Sequence, residues 1–166
     1  MITYHPYTIF PLGDSALTIE FSDRIDIQIN EKVMRLFRQL RDAQLPAITD
    51  LIPAFGSLTV CYEARRLHRS ETTAFEVMAS IIENMAPEKE QVRQTPRLIE
   101  VPVCYDDPYA KDLELIARDR EISRQEIIAI HTSRRYRVYM LGFLPGFAYM
   151  GELDERIATP RKPRPS

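Results

Sequence analysis

Two apolar periodicities alternate along the first 87 residues, and their order restricts the possible folds more than any other feature of this chain. Apolar residues occupy every second position in Leu17–Phe21 and in Leu58–Tyr62, which is typical of strands with one buried face. Thr8–Leu12 precedes the first of these strands and is predicted to form a hairpin with it. Gly56 separates the second strand from another apolar stretch, Ile48–Pro53, which predicts a second pair.

Two helices are predicted beside these strands. Apolar residues repeat at steps of three and four over Ile25–Leu40, with charged residues on the opposite face, and Pro46 opposes continuation of the helix. A second stripe runs over Phe75–Met85 and ends before Pro87, with Ser70 as the predicted N-cap. The order strand–strand–helix–strand–strand–helix predicts an α+β fold whose helices cover one side of an antiparallel sheet.

The polar segment 88–96 predicts a linker between two domains. The first domain is the small α+β unit of residues 1–87, and the second comprises residues 97–166. Leu98–Val103 is predicted to open the second domain as a strand. Because Pro102 interrupts this strand, we expect it to lie at a sheet edge or a bulge.

Ser123 and Glu126 form a predicted capping box at the start of a helix, because each side chain can bond to the backbone N–H of the other residue. Ile122 and Ile127 have the spacing of the hydrophobic contact that accompanies such a cap. Apolar spacing predicts the two neighbouring elements, which are a short helix around Leu113–Ala117 and a strand over Tyr136–Leu141.

Composition excludes several classes of protein. The chain has 166 residues, of which 45% are hydrophobic and 28% charged, and this suits one or two folded domains. A net charge of −2 provides no general attraction for nucleic acid or acidic membranes. Cys61 and Cys104 are too few for a disulfide framework, and no Cys/His spacing resembles a metal site, so we expect a cytoplasmic protein without a structural metal. The longest uncharged stretch, Val138–Gly151, is too short to span a bilayer, and the first residues do not predict a secretory signal.

The region from Tyr136 to Arg164 has the composition of a small anionic ligand site. Gly142 and Gly146 around Pro145 predict a chain reversal that exposes backbone N–H groups beside aromatic rings. Arginines downstream can make bidentate contacts to a carboxylate or phosphate. The candidate binding residues are Gly142, Phe143, Pro145, Gly146, Phe147, Tyr149 and Arg161. The alternative is a tightly turned barrel corner whose aromatic residues are core and whose arginines are solvated.

The string Leu141–Tyr149, followed by Thr159-Pro160-Arg161, resembles the signature of the family of 5-oxoprolinase B subunits. That family is also labelled allophanate hydrolase subunit 1 and includes the sporulation kinase inhibitor (KipI-like). Further matching positions are spread along the chain: Leu12–Leu17, Val101–Tyr105, Asp112-Leu113, His131 and Tyr136.

The resemblance implies an N-terminal α+β sandwich domain followed by a cyclophilin-like β-barrel domain. Asp106–Lys111 replaces a glycine-containing loop of the family, so we expect a different loop conformation there. Family members continue past the Pro-Arg region into further motifs, one of which contains tryptophan. This sequence ends at Ser166 and contains no tryptophan, so we expect a truncated version with an incomplete barrel.

The resemblance also implies an activity. The chain would be the B component of an ATP-dependent 5-oxoprolinase that opens 5-oxo-L-proline to L-glutamate together with subunits A and C. Because the sequence has no Gly-x-x-x-x-Gly-Lys loop, we expect ATP to be bound by a partner subunit or shared with one. Two alternatives stay open: a non-enzymatic inhibitor of a sensor histidine kinase, and an allophanate hydrolase subunit 1.

His131 is the candidate catalytic residue, because imidazole titrates near neutral pH and can act as a general acid or base or contact an anion. Alternatively, it only closes the C-terminus of its helix, where a cation is favoured. Cys104 is predicted to be a buried structural cysteine rather than a nucleophile paired with His131, because no cation adjoins it in sequence. Cys61 is expected only to pack.

Overall fold

The computed structural model describes residues 2–4, 7–85, 97–142 and 144–160 of the chain. No helix in these ranges is both long enough and apolar enough to cross a membrane.

The chain divides into two compact units. One consists of Met1–Arg93 with Tyr139–Tyr149, and the other of Gln94–Val138 with Met150–Ser166. The predicted linker, residues 88–96, lies outside the described residues, so the proposed domain limits stay a prediction.

A five-stranded antiparallel sheet forms the centre of the first unit. Its strands are β1 (Ile2–Tyr4), β2 (Tyr7–Pro11), β3 (Ala16–Glu20), β4 (Ile48–Pro53) and β5 (Ser57–Tyr62). They lie in the order β1-β2-β3-β5-β4, so the β3–β5 pairing joins the two predicted strand pairs, which are confirmed as β2–β3 and β4–β5. The sequence pattern did not predict β1.

Helices α1 (Ile27–Asp42) and α3 (Ala74–Met85) bury their apolar stripes in one core with this sheet. The largest fully buried apolar side chains come from both layers: Ile9, Leu17, Ile19, Val33, Leu40, Leu58, Val60, Met78 and Ile82. Successive strand residues point to opposite faces. The hydroxyls of Thr18 and Thr59 accordingly meet at 3.0 Å on the other face of the sheet. The predicted layering, with helices covering one side, is confirmed.

Helix α3 begins at a capping box of Thr73 and Glu76, three residues after the predicted N-cap. The Thr73 hydroxyl accepts from the backbone N–H of Glu76 at 3.2 Å, and the Glu76 carboxylate accepts from the backbone N–H of Thr73 at 2.8 Å. Ser70, the predicted N-cap, instead lies in a turn closed by pairing of Arg69 with Thr72. Both residues are good cap formers, but only Thr73 has a glutamate three positions later. A short helix, α2 (Ala64–Leu67), was also not predicted.

The turn between β4 and β5 requires glycine. The Gly56 carbonyl accepts from the backbone N–H groups of Phe21 and Ser22 at 2.9 and 3.3 Å. A Cβ atom at Gly56 would lie 2.1 Å from the backbone oxygen of Ser22. This close approach of two chain segments holds the end of β3 against the β4–β5 turn.

The second unit contains helices α4 (Leu113–Arg120) and α5 (Arg124–Thr132), which confirm the two predicted helices. The Ser123 hydroxyl accepts from the backbone N–H of Glu126 at 3.2 Å, so the predicted cap of α5 is confirmed. Ile122 packs against the same small core as Ile127, as expected for the accompanying hydrophobic contact. The buried members of this core are Leu113, Ile127, Ile130 and Ile157.

The predicted strand at Leu98–Val103 is wrong. These residues form no regular structure, and Leu98, Ile99, Val101 and Val103 are all exposed, Val101 at 72%. A strand needs a neighbouring backbone that completes its hydrogen bonds. Within the described ranges, no segment pairs with these residues as a strand.

The predicted strand at Tyr136–Leu141 is confirmed as β6 (Arg137–Leu141), which pairs with β7 (Ala148–Gly151) in a two-stranded sheet. The whole is a mixed helix-and-strand fold, as the sequence predicted.

Candidate functional site

Tyr105, His131 and Tyr136 lie together in the second unit and form what we call the aromatic cluster. The phenol oxygen of Tyr105 lies 2.5 Å from Nδ1 of His131, and the Tyr136 hydroxyl donates to the His131 backbone carbonyl at 2.9 Å. The ring centres of Tyr105 and His131 are 6.0 Å apart in an edge-on arrangement, and those of His131 and Tyr136 are 5.3 Å apart. The half-buried imidazole is therefore in contact with two tyrosine rings.

Local structure explains how the cluster assembles. His131 lies in the last turn of α5, where backbone carbonyls lack partners within the helix. Tyr136 follows that helix end closely enough for its hydroxyl to return to one of these carbonyls. Tyr105 comes from the irregular segment that precedes α4.

Burial raises the pKa of the Tyr105 phenol above its ordinary value of 10.0, and the neighbouring Tyr136 raises it further. The phenol is therefore protonated at neutral pH and can donate a hydrogen bond. Nδ1 of His131 is its one hydrogen-bonding partner among the described residues. Nε2 of His131 makes no hydrogen bond within the described part of the chain, so this nitrogen is available to a ligand.

The structure brings together His131 and Tyr136, which are both at positions matched to the family. Tyr105 is the last residue of the Val101–Tyr105 motif. It lies 26 positions from His131, so no helical or strand periodicity could indicate the contact. The motif itself was the signal that could have identified it.

The glycine–proline turn between β6 and β7 uses several of its own N–H groups. Gly142 donates to Phe147 at 3.0 Å, Leu144 donates to Gly142 at 2.7 Å, and Phe147 donates to Leu144 at 2.9 Å, all through backbone atoms. Gly146 has a φ of 80°, a conformation that favours glycine. The N–H groups of Gly142, Leu144 and Phe147 are thus engaged within the turn, which differs from the expected set of free backbone donors.

Two aromatic candidates, Phe147 at the end of this turn and Tyr149 on β7, are exposed. The rings of Phe147 and Tyr149 meet at 5.1 Å in an edge-on arrangement, and their exposed fractions are 47% and 42%. Phe143 and Arg161 lie outside the described residues. The anion site that combines them with Pro145 and Gly146 therefore stays a prediction.

Asp154 binds two arginines of the second unit. Arg156 donates from Nε and Nη2 to the two carboxylate oxygens at 3.0 Å each, and Arg134 Nη2 lies 3.4 Å from one of them. The side-chain and backbone hydrogen bonds from Arg156, with the charge of Arg134, lower the pKa of Asp154 from 3.8 to about 2. This carboxylate thus holds Arg134, which lies three positions after His131 in the chain.

Cys104 is exposed, so the prediction of a buried structural cysteine is wrong. Cys104 lies beside Val103 in an irregular segment. Because this segment pairs with no described strand, its side chains are not packed into a core. The Cys104 thiol lies 3.5 Å from a carboxylate oxygen of Asp106. Cys61 is half-buried on β5.

A cleft in the second unit is lined by Asp107, Ala110, Lys111, Glu114 and Arg124. Arg124 forms an ion pair with Asp107 and lies 4.0 Å from Glu114. The lining has two acidic and two basic side chains, so its formal charges cancel and the cleft does not favour a ligand of either charge. Among the described residues, no three His, Cys, Asp or Glu side chains meet in a metal-binding arrangement.

Comparisons with known proteins identify the family to which the chain belongs. Residues 7–166 match the family described as carboxyltransferase domain, subdomain C and D. The chain is 40% identical to the 5-oxoprolinase B subunit of Bacillus subtilis (strain 168) over 167 residues, which cover 96% of this chain and 70% of the relative. It is 29% identical to the 5-oxoprolinase B subunit of Escherichia coli O157:H7 over 154 residues, which cover 93% of this chain and 67% of that relative.

A solved structure has the same fold. The crystal structure of TTHA0988 superimposes with a TM-score of 0.74 at 30% identity, over 90% of this chain and 28% of that chain. The present chain thus spans most of the bacterial B subunits but a smaller share of TTHA0988. Since the family match extends over almost the whole sequence, the chain belongs to the carboxyltransferase subdomain C and D family, together with the 5-oxoprolinase B subunits.

Proposed function

We propose that this chain acts as the B subunit of an ATP-dependent 5-oxoprolinase, which opens 5-oxo-L-proline to L-glutamate together with subunits A and C. The observation that carries the proposal is the 40% identity to the Bacillus subtilis 5-oxoprolinase B subunit across 96% of this chain. That relative is named as one subunit of an enzyme, which supports an assembly with partner chains.

The chemistry explains why ATP is required. Opening an unstrained lactam is unfavourable, so the lactam carbonyl oxygen first attacks the γ-phosphorus of ATP and releases ADP. Water then adds to the activated carbon, and the C–N bond breaks to give an amine and an acyl phosphate. A second water releases phosphate and leaves the carboxylate of glutamate. The chain has no Gly-x-x-x-x-Gly-Lys loop, so we assign ATP to a partner subunit or a shared site.

Two groups of residues have roles in this proposal. His131 of the aromatic cluster contacts the reacting amide, since its Nε2 is available and its ring is held in place. Separately, the glycine–proline turn, with Phe143, Phe147, Tyr149 and Arg161, is a candidate site for a carboxylate. An arginine suits this task because its planar fork matches a carboxylate with two parallel hydrogen bonds.

The finer architecture is also part of the proposal. Residues 97–166 form the start of a cyclophilin-like β-barrel, and β6 and β7 are two of its strands. The two strands and the turn that joins them match the part of the sequence that carries the family signature.

The test is co-expression of the full-length protein with subunits A and C, followed by assay of ATP turnover with and without 5-oxo-L-proline. We expect 5-oxoproline-dependent ADP release and equal formation of glutamate only when all three subunits are present. The purified chain alone should hydrolyse neither compound.

Steady turnover by the chain alone would contradict the subunit assignment. A stable complex that leaves 5-oxoproline intact would contradict the proposed substrate. Inhibition of sensor kinase autophosphorylation, measured with the same preparation, would then favour the kinase-inhibitor alternative.

A further inference from the structure

We infer that Tyr105 fixes the tautomer of His131, so that the neutral imidazole carries its proton on Nε2 and donates it to a carbonyl or carboxylate oxygen of a ligand. His131 would then act as a hydrogen-bond donor rather than as a general base. The tautomer follows from the aromatic cluster alone, whereas the ligand class rests on the proposed function.

The direction of the Tyr105–His131 hydrogen bond follows from the chemistry of the two groups. They share one contact of 2.5 Å, which either the phenol or Nδ1 can donate. A phenol is a stronger acid than a neutral imidazole N–H, and an imidazole nitrogen is a stronger base than a phenol oxygen. The stronger bond therefore runs from the Tyr105 hydroxyl to Nδ1. A neutral imidazole has one N–H, so its proton then lies on Nε2.

The surroundings keep the ring in this orientation. The Tyr136 hydroxyl holds the His131 carbonyl at 2.9 Å, and the Tyr136 ring lies 5.3 Å from the imidazole with an interplanar angle of 34°. A half-turn of the imidazole would replace Nδ1 with a carbon opposite Tyr105 and break their hydrogen bond. Tyr105 is thus a positioning residue, which acts on a ligand through His131.

This arrangement separates the two roles that a histidine can take. A general base needs a lone pair on the nitrogen that faces the substrate. Here the available nitrogen carries a hydrogen, so it stabilises an oxygen on which negative charge is present or increases. In 5-oxoproline, such oxygens are those of the lactam carbonyl and the carboxylate.

The tautomer can be measured without any activity. The full-length protein is labelled with 15N-histidine, and the ring nitrogen signals are recorded near pH 8.5, where an ordinary imidazole is neutral. The variant His131→Gln assigns the signals. We expect a pyridine-type Nδ1 and a pyrrole-type Nε2 in the wild type, and a mixture of tautomers in Tyr105→Phe.

Tyr136→Phe is the matched control, because it also removes one phenol oxygen but one that bonds to the backbone of His131. Its tautomer should remain that of the wild type. A pyrrole-type Nδ1 in the wild type, an unchanged spectrum in Tyr105→Phe, or the same mixture in both tyrosine variants would each overturn the inference.

The role toward the ligand is tested in the complex of the three subunits. His131→Gln keeps an N–H donor near the position of Nε2 but cannot act as a base, whereas His131→Leu removes both functions. We expect His131→Leu to lower kcat by roughly 100- to 1,000-fold, and His131→Gln to retain at least about ten times the activity of His131→Leu. Equal losses would overturn the donor role. Absence of 5-oxoproline turnover in the wild-type complex would instead refute the proposed function and leave the tautomer result intact.

Discussion

The side-chain amide of Asn30 on α1 donates to the backbone carbonyl of Tyr139 on β6, 3.1 Å away and 109 positions later in the chain. The same nitrogen lies 3.3 Å from the carbonyl oxygen of Phe55, in the turn before β5. Asn30 is only 1% exposed, so water does not readily replace it. One buried amide therefore links a helix, a turn and a strand that are distant in sequence.

Replacing Asn30 should destabilise the first unit. Asn30→Ala removes the amide donor from the buried Tyr139 carbonyl and the partly buried Phe55 carbonyl, and we expect the free energy of unfolding in urea to fall by about 1–3 kcal/mol. Asn84→Ala is the control, because its amide also donates to a backbone carbonyl, that of Ser80, but on an exposed helix face. It should change stability by no more than about 0.5 kcal/mol. Equal losses in the two variants would show that burial of the amide is unimportant.

The start of α3 gives a second pair of variants. Thr73→Ala removes the hydroxyl that caps the helix, and we expect a loss of about 1 kcal/mol in the free energy of unfolding. Ser70→Ala changes a similar residue three positions earlier that caps no helix, so its effect should stay within about 0.5 kcal/mol. A larger loss of unfolding free energy in Ser70→Ala than in Thr73→Ala would show that Ser70 is the N-cap after all.

Gly56 should not tolerate even one added methyl group. In Gly56→Ala, the new Cβ would meet the Ser22 carbonyl oxygen, so one of the two backbones must move. We expect the free energy of unfolding to fall by at least about 1–3 kcal/mol. At Gly142, the atoms nearest to an added Cβ lie 3.7 Å away, which is an ordinary contact distance. Gly142→Ala should therefore lower the free energy of unfolding less than Gly56→Ala does. Thermal denaturation of both variants checks this order.

The Asp154 ion pairs predict a stability difference that depends on pH. The folded pKa of about 2 lies below the ordinary value of 3.8, so the unfolded chain binds the proton more readily between these values. The stabilising contribution is therefore complete above about pH 4 and is lost as the pH falls toward 2. The difference in free energy of unfolding between wild type and Asp154→Asn, measured in urea from about pH 6 downward, should become smaller as the pH falls. A difference that stays constant would show that the Asp154 ion pairs are not its cause.

Arg161 should affect turnover far more than stability. In the three-subunit complex, Arg161→Ala should weaken 5-oxoproline binding by about tenfold to a hundredfold, the effect of losing a charge-assisted hydrogen bond. Arg161→Lys should also be impaired, because lysine keeps the charge but loses the planar pair of donors. Arg65→Ala removes an exposed arginine of α2 and serves as the control for charge alone. Wild-type KM values in both Arg161 variants would refute the anion site.

The elements that the sequence predicted are those whose evidence is local. Leu17 and Ile19 alternate with Thr18 because one face of the sheet is covered, and this burial pattern is visible within five residues. The cap of α5 is equally local, since Ser123 and Glu126 are three positions apart. Local physical chemistry was sufficient for these elements.

The predictions that failed required a distant partner. Val101 and Val103 have strand-forming side chains, but no described segment supplies the backbone partner of a strand. The exposure of Cys104 follows from the same cause. The contact of Tyr105 with His131 depends on how an irregular segment meets a helix end, which no periodicity encodes.

The central pairing of the sheet also sets the order of events during folding. Thr18 and Thr59 meet across β3 and β5 although 41 positions separate them, whereas each hairpin on either side closes over a few residues. Hairpins form in roughly 1–10 μs, but joining them requires closure of a long loop that contains α1. The entropy lost in that closure is recovered only after the two hairpins share a core, so we expect the slow step in folding of the first unit to include the β3–β5 pairing. Substitutions at the β3–β5 pairing should therefore change the folding rate more than substitutions in the hairpin turns do.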